Sequence, residues 1–574
     1  MKKRSIYKIL YPLISSIFFF LIIVMLGFKT ERSDGYVCVI GAHRLKQVIL
    51  ITGVPYLLLS VLTAVGRIHA VRDYMRCLLA EFTLLFSERC ILLGVFASMP
   101  DPGSKAVVVT TVFVEFIMFC SALLLLFDRW TMKGPVVMFS CIAVPALVMY
   151  GFLSLPVSAP DSYSHIVSAY RYSNLIMGIR DNDGYVMQVE DYAYLSSISE
   201  GYEFGKTTQP DYEIYETQLN SVFSGREDVL KDVMVEVDGY YHMSYYSVLC
   251  WFPQVVGLTI GRLMKLNPFW LFSLPRILSG LIFLAVVIEA IRITPIGKYT
   301  FCAVALFPSC LNSVVSFNYD SMVIISSIGF LASIFSIKYS GENKRTVYMI
   351  EAMIYAILLG GVKGGGFVLL VLLAITWSIK PVEITRSALI ILSGIISYVI
   401  FNKILPSGMQ FFQLQPLSNV TMPASYSLYH PVRYLSRIIY MYVVQAQLLF
   451  ESSIGLKGTP GLLIIAVLGC LVVLILLHND YEMLIRNDLW MIRAMVILGI
   501  LATPATILVG NVPEIFILQG VQGRYYLPMI LLGLMLVGKR YGGGFDHLKN
   551  REGDIKLLLL LSEALSMLYV FFLR

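Results

Sequence analysis

The chain is 574 residues long, 57% hydrophobic and only 14% charged, with a formal net charge of +7. That is far more apolar surface than a soluble domain needs to fill its core, so the composition excludes an ordinary soluble globular protein. It points to an integral membrane protein, in which net charge says little and the placement of Lys and Arg among the loops says much.

Apolar runs close to the roughly 20 residues a helix needs to cross a hydrocarbon core recur from Tyr11–Phe28 through to Leu557–Phe572. The segments between them lack the strict alternation of a β-barrel. The predicted fold class is therefore an all-α polytopic membrane protein, a multi-helix bundle. "MKKRSIYKIL" begins like a secretory signal, but "GFKTERSDG" after the apolar run holds no small-residue cleavage site, so it reads as a retained first span. The nine Cys are scattered with no Cys-x-x-Cys pair, which indicates neither a disulfide framework nor a zinc site.

Residues 1–134 read as an added N-terminal unit of four spans with short loops, ahead of a core from 135 to 574. "MKKR", "GRIHAVRDYMR" (66–76) and "FDRWTMKG" (127–134) are basic and expected inside, while "MPDPGSK" (99–105) is not. One more span puts residue 154 outside. Residues 154–243 then form an acidic extracytoplasmic loop with fifteen Asp or Glu against five Lys or Arg. A loop of that length is expected to be functional rather than a simple connection.

The loop opens with "SLPVSAPDSYSHIVSAYRYSNLIMG". Pro160 favours a helix start and Gly178 a helix end, which puts Asp161 and His165, four apart, on one helix face. Such a pair could bind a divalent cation or act as a general base with its orienting partner. It could equally be an N-cap aspartate and a solvated histidine.

Between 244 and 450 two topologies are open. If every apolar run crosses, the basic turns "IKYSGENKRT" (337–346) and "IKPVEITR" (379–386) fall outside, against the charge rule. If Tyr245–Leu263, interrupted by Pro253 and Gly257, and Tyr434–Phe450, flanked by Arg433 and Arg437, do not cross, both turns move inside. We favour the second. It sets Asp320, Lys363 and the aromatic loop 404–434 on the same outer side as Asp161 and Arg524, while the basic loop 538–556 stays inside.

Charges within or beside apolar runs carry more information, because each costs roughly 2.5–3.5 kcal/mol at a helix centre and usually faces a cavity or a partner. These are Glu115, for which no role is evident, Arg276 in "SLPRILSG", Asp320 in "SFNYDSMVI", Lys363 in "GGVKGGG" and Arg524 in "QGRYYLP". Three cations facing one surface suit an anionic ligand, and a lipid-borne phosphate is the obvious class. Each has a structural reading as well: Asp320 as a helix cap, Arg276 as a snorkelling side chain. "GGVKGGG" lacks the spacing of a nucleotide-binding phosphate loop, and no nucleic-acid partner is expected.

In order, "LPVSAPDSYSHIVSAYRYS", "LFSLPRILSGLIFL", "ALFPSCLNSVVSFNYDSMVIISSIGFL", "GGVKGGGFVLLVLL" and "QGVQGRYYLPMILLGLML" resemble a bacterial membrane-protein family of unknown function, domain-of-unknown-function family 2142. That family is grouped with the GT-C glycosyltransferases. The resemblance spans about residues 135–540 and is most specific at Asp161-x-x-x-His165 and Gln522-Gly523-Arg524-Tyr525. It departs at Ser162, where the family has Glu; losing that carboxylate counts against a metal-dependent mechanism, and no cofactor is expected with certainty.

The resemblance implies a GT-C-like bundle in a bacterial plasma membrane, with a cytoplasmic N-terminus and an extracytoplasmic active site. It implies an inverting transferase that moves a sugar from a polyprenyl-phosphate carrier to the hydroxyl of a glycan acceptor, a cell-wall or surface glycopolymer. Asp161 matches the catalytic Asp of the first outer loop, with His165 beside it. Arg276, Asp320, Lys363, Arg524 and Tyr525 would contact the substrate. Rival readings are a glycan polymerase or ligase, a transporter or flippase of lipid-linked saccharides, and a non-catalytic scaffold. A transporter predicts related halves, which the hydropathy does not show.

Overall fold

The computed structural model describes residues 29–32, 35–38, 134–157, 162–179, 185–199, 218, 221, 233–237, 247–339, 341, 344–362, 381–404, 429–456, 459–478, 480–508, 521–568 and 570. The chain divides into two compact units. One comprises Met1–Met149 with Glu552–Arg574, the other Tyr150–Arg551.

The described part of the first unit holds a small antiparallel hairpin, β1 (Lys29–Arg32) with β2 (Gly35–Cys38), most of helix α1 (Pro135–Leu153), and a C-terminal helix, Glu552–Leu568. In that last helix Lys556, Leu559, Glu563, Ser566 and Met567 form the buried stripe at helical spacing.

The second unit carries the candidate residues. Helix α2 (Ser162–Ile176) is followed by β3 (Tyr185–Gln188), α3 (Val189–Ser197) and β4 (Met234–Val237), the two strands pairing antiparallel with Tyr185 opposite Val237 and Gln188 opposite Met234. The all-α expectation therefore holds in bulk but misses two short strand pairs. The acidic segment folds back on α2: Asn174 donates to the Val186 carbonyl at 2.9 Å, and the Tyr170 hydroxyl donates to Asp191 at 2.8 Å.

A 3₁₀ turn, Val248–Trp251, capped by the Ser247 hydroxyl accepting from Leu249 N at 3.0 Å, leads into α4 (Phe252–Leu263), with Pro253 in its first turn. Asn267 caps α5 (Pro268–Ile293) by accepting from Trp270 N at 3.0 Å. A Cβ on Gly257 would lie 2.5 Å from Pro275 Cα, so the α4–α5 hairpin needs a glycine there.

The chain continues through α6 (Lys298–Ala305) and α7 (Pro308–Val314), one apolar run broken at Phe307 and Pro308, into α8 (Asp320–Tyr339). Every residue of α8 from Asp320 to Ile337 is buried. Its 20 residues make a rod of about 30 Å, matching the hydrocarbon thickness of a bilayer. Ser326, Ser333 and Ser336 return their hydroxyls to the carbonyls four residues back, which lets polar side chains lie in this apolar setting. By length and composition, α5 and α8 are the two described helices able to cross a membrane.

Helix α9 (Arg345–Gly361) packs on α8, and α10 (Pro381–Val399) packs on α9 with Gly360 against the Gly394 carbonyl. Then come α11 (Pro431–Val444), α12 (Ala446–Ile454), α13 (Gly461–Leu477), α14 (Arg486–Leu508) and α15 (Leu527–Tyr541). Helices α4 and α11, of 12 and 14 residues, are about 18 and 21 Å long, each too short to cross alone.

Contacts fix two ends of this unit. At one end Lys338 and Tyr339 both meet Asp488, Lys298 N donates to Asp480 at 2.8 Å, and Gly538 lies against Tyr481. At the other end the start of α8, the residues just before α15 and the α12 segment come together.

Candidate functional site

The site is built where α8 begins. Asp320, the first residue of α8, forms an ion pair with Arg524 Nε; their side chains are 5% and 14% exposed. Arg524 lies in the 3₁₀ turn Gly523–Tyr526 that leads into α15, and its guanidinium stands 5.9 Å from the Tyr525 ring centroid. Burial works against the charged form of Arg524, and the Asp320 carboxylate together with the Tyr525 and Tyr319 hydroxyls more than offsets it, holding the guanidinium above its ordinary range.

The turn is positioned by close backbone packing. Gly523 N donates to Ser452 Oγ at 3.1 Å, and Ser453 Oγ donates to the Gly523 carbonyl at 2.9 Å. A Cβ at 523 would overlap the Leu449 carbonyl and Ser453 N. The glycine of Gln-Gly-Arg-Tyr is thus required by the approach of α12, which sets where Arg524 points. Beneath it Tyr526 shares a 2.8 Å hydrogen bond with Tyr442 and packs with Ile438, Met441, Leu449 and Val521.

His165, from the first turn of α2, is 1% exposed. Its Nδ1 accepts from Trp251 Nε1 at 3.2 Å, and its ring meets Tyr319 edge-on with centroids 4.8 Å apart. Tyr319 immediately precedes Asp320 in the chain, and its hydroxyl acts electrostatically on Arg524. The reading of His165 as a solvated side chain does not hold.

Arg276 is also buried, at 2%, but its donors go to the main chain: Nε to the Val315 carbonyl at 2.6 Å, and Nη2 to the carbonyls of Tyr150, at 3.4 Å, and Ser154. It ties the end of α1 to the start of α5 and to the chain ahead of α8. These bonds fasten the main chain around it.

Asp161 and Lys363 lie outside the described residues, as do most of the aromatic loop 404–434 and Glu115. Gly361, two residues before Lys363, packs against Leu249 of the turn that carries Trp251. Among the described residues no group of three or more His, Cys, Asp or Glu is arranged to hold a metal.

Sequence reasoning missed Trp251, Tyr319 and Ser453. It also missed a polar network that fixes α2: Arg262 Nη1 donates to Ser173 Oγ at 3.1 Å, and the Arg262 guanidinium lies 4.4 Å from the Tyr170 ring centroid. Burial, and then the Asp191 carboxylate, push the Tyr170 hydroxyl above the ordinary phenol range, so it remains a donor.

A mainly helical bundle in which two described helices are long and apolar enough to cross a membrane fits an α-helical membrane protein. The family model described as "Predicted membrane protein (DUF2142)" matches residues 146–533, and the chain belongs to that family. Neither the curated proteins nor the solved structures contain a match to it.

Proposed function

We propose that this is a GT-C-type glycosyltransferase taking a sugar from a polyprenyl-phosphate donor and passing it, with inversion, to a glycan hydroxyl on the outer face of a bacterial plasma membrane. The observation that carries the reading is the Asp320–Arg524 pair beside buried His165, in a chain whose acidic segment packs onto the same α2 helix. Asp161 precedes the first residue of α2 in sequence. As general base it takes the proton of the acceptor hydroxyl while that oxygen attacks the anomeric carbon. The bond from that carbon to the phosphate oxygen breaks, and its electron pair leaves with the lipid phosphate. Arg524, held by Asp320 and flanked by Tyr525, stabilises the growing negative charge, with Lys363 as the second cation. Removing one such stabiliser typically costs about 10²–10³ in rate.

We assign Arg276 to the frame in preference to the phosphate, because its Nε and Nη2 donate to three main-chain carbonyls. A second reading, a transporter of lipid-linked saccharides, draws on the interrupted helices at Phe307–Pro308 and at Gln445, since such folds use broken helices. Purified protein in vesicles with labelled polyprenyl-phosphate sugars separates the two. Transfer to an added glycan acceptor supports the enzyme; translocation of intact donor with no transfer overturns it in favour of the transporter.

A further inference from the structure

Helix α14 has two opposite faces. Asp488, Ile492, Met495 and Gly499 follow one another at helical spacing on the buried side, where Asp488 meets Lys338 and Tyr339 of α8 and Gly499 lies against Met529 of α15. Arg486, Trp490, Arg493, Ile497 and Leu501 form the outward stripe, all of them exposed, Trp490 at 59%. Along the helix that stripe changes character. It is apolar at Ile497 and Leu501, and cationic and aromatic at the end where α14 begins.

An exposed apolar stripe that ends in tryptophan and arginine is the pattern of a helix passing from hydrocarbon into headgroups. Arg493 reaches back along α14 and sets its guanidinium 5.2 Å from the Trp490 ring centroid, away from Ile497 and Leu501. Helix α15 runs antiparallel beside it and agrees in depth: from the Gly499–Met529 contact, Trp490 and Tyr541 lie about 14 and about 18 Å toward the same end. Tyr541 is exposed and holds the Arg540 guanidinium 5.3 Å from its ring centroid.

The outward cations of α14 have no protein anion. Among the described residues neither Arg486 nor Arg493 forms an ion pair, and Asp488, the acid of the same first turn, pairs with Lys338 on the other face. The exposed acid of the preceding segment, Glu482, sits beside Lys539, whose Nζ donates to its carbonyl at 3.1 Å. Arg486 also opens α14, at the positive end of the helix dipole, so the helix itself disfavours a cation there.

We propose that Arg486, Trp490 and Arg493 seat the phosphate of an anionic phospholipid, in the leaflet at the end of the unit opposite the Asp320–Arg524 pair. The guanidiniums donate paired hydrogen bonds to phosphate oxygens, and the indole N–H adds a donor at the same depth. Two cations exceed the charge of one phosphodiester, so a headgroup without a cation of its own fits better than a zwitterionic one. The acyl chains lie along Ile497 and Leu501. The seat does not depend on the transferase reading.

The test uses full-length protein in nanodiscs of phosphatidylcholine with a minority of phosphatidylglycerol, carrying equal amounts of brominated lipid of one kind or the other. Quenching is read at Trp490 as the difference from Trp490→Phe, since the chain holds five Trp. Brominated phosphatidylglycerol is expected to quench Trp490 about two- to fivefold more than brominated phosphatidylcholine. The preference should vanish in the double variant Arg486→Gln, Arg493→Gln. Should that variant not fold, Arg493→Gln alone must lose at least half of the preference. Equal quenching by the two lipids, quenching by neither, or a preference that survives in the folded glutamine variant overturns the proposal. Loss of the wild-type preference on adding inorganic phosphate at constant ionic strength assigns the seat to a free anion and overturns it as well.

Discussion

Arg524, in the turn before α15, and Asp320, the first residue of α8, form a buried ion pair that joins two helices at the end of the unit where His165 lies. Removing either partner leaves an uncompensated buried charge, which typically costs about 3–5 kcal/mol. Asp320→Ala and Arg524→Ala are each expected to lower stability by that order. The double variant should lose clearly less than the sum, in thermal or denaturant unfolding of the detergent-solubilised protein. An additive double variant means the pair is not coupled.

Gly523→Ala tests how the turn is held. Its methyl group would collide with the Leu449 carbonyl and Ser453 N, an overpacking expected to cost about 1–3 kcal/mol and to misdirect Arg524. A methyl group added at Gly533, in the interior of α15, would meet nothing within 4 Å, so Gly533→Ala should be neutral or stabilising by up to about 1 kcal/mol. Comparing the two melting temperatures checks the claim, and similar losses at both sites count against it.

Arg276 is expected to behave as a fastener. Arg276→Lys keeps the charge but cannot reproduce the spread of bonds to the Val315, Tyr150 and Ser154 carbonyls. Loss of hydrogen bonds to a charged group predicts roughly 2–3 kcal/mol of destabilisation. In the folded fraction, KM for a polyprenyl-phosphate donor should be unchanged, whereas Arg524→Lys raises it. A raised KM with unchanged stability in Arg276→Lys would return this residue to the substrate.

At the opposite end, Asp480 accepts from Lys298 N at 2.8 Å, ahead of the first turn of α6. Burial pushes its carboxyl above the ordinary range, and the backbone donors and His478 pull it only partly back. A carboxyl raised in the folded state favours folding fully below its unfolded value of about 3.9 and loses that contribution as pH rises through the folded value. Asp480→Asn keeps an acceptor for Lys298 N but cannot ionise. Its stability relative to wild type should therefore improve as pH is raised from about 4 toward 7, read from unfolding curves across that range. A difference that stays constant with pH contradicts the assignment.

The charges of the site were legible in the sequence because a charge in an apolar run is costly enough to stand out; Asp320 and Arg524 were found that way and prove to be partners. What a charge meets was not legible. Arg276 carries the same signal as Arg524, yet it bonds to main-chain carbonyls, and main-chain carbonyls leave no mark on side-chain sequence. Trp251 and Tyr319 were invisible for another reason: aromatic residues among apolar ones look like packing, and only the approach of His165 gives the indole N–H a partner. The β3–β4 pair joins segments far apart in the chain, four residues each, too short for an alternating pattern to register. The break of the run 298–314 at Pro308 was written in the sequence, since proline both limits the preceding residue and favours a new helix start.

The most direct measurement is single-turnover release of polyprenyl phosphate from a labelled polyprenyl-phosphate sugar in the presence of a glycan acceptor, comparing wild type with Asp161→Asn and Arg524→Gln. The proposed transferase mechanism predicts release by the wild type, loss of turnover in Asp161→Asn with donor binding retained, and a fall of about 10²–10³ in rate for Arg524→Gln. Full turnover by a folded Asp161→Asn protein would contradict it.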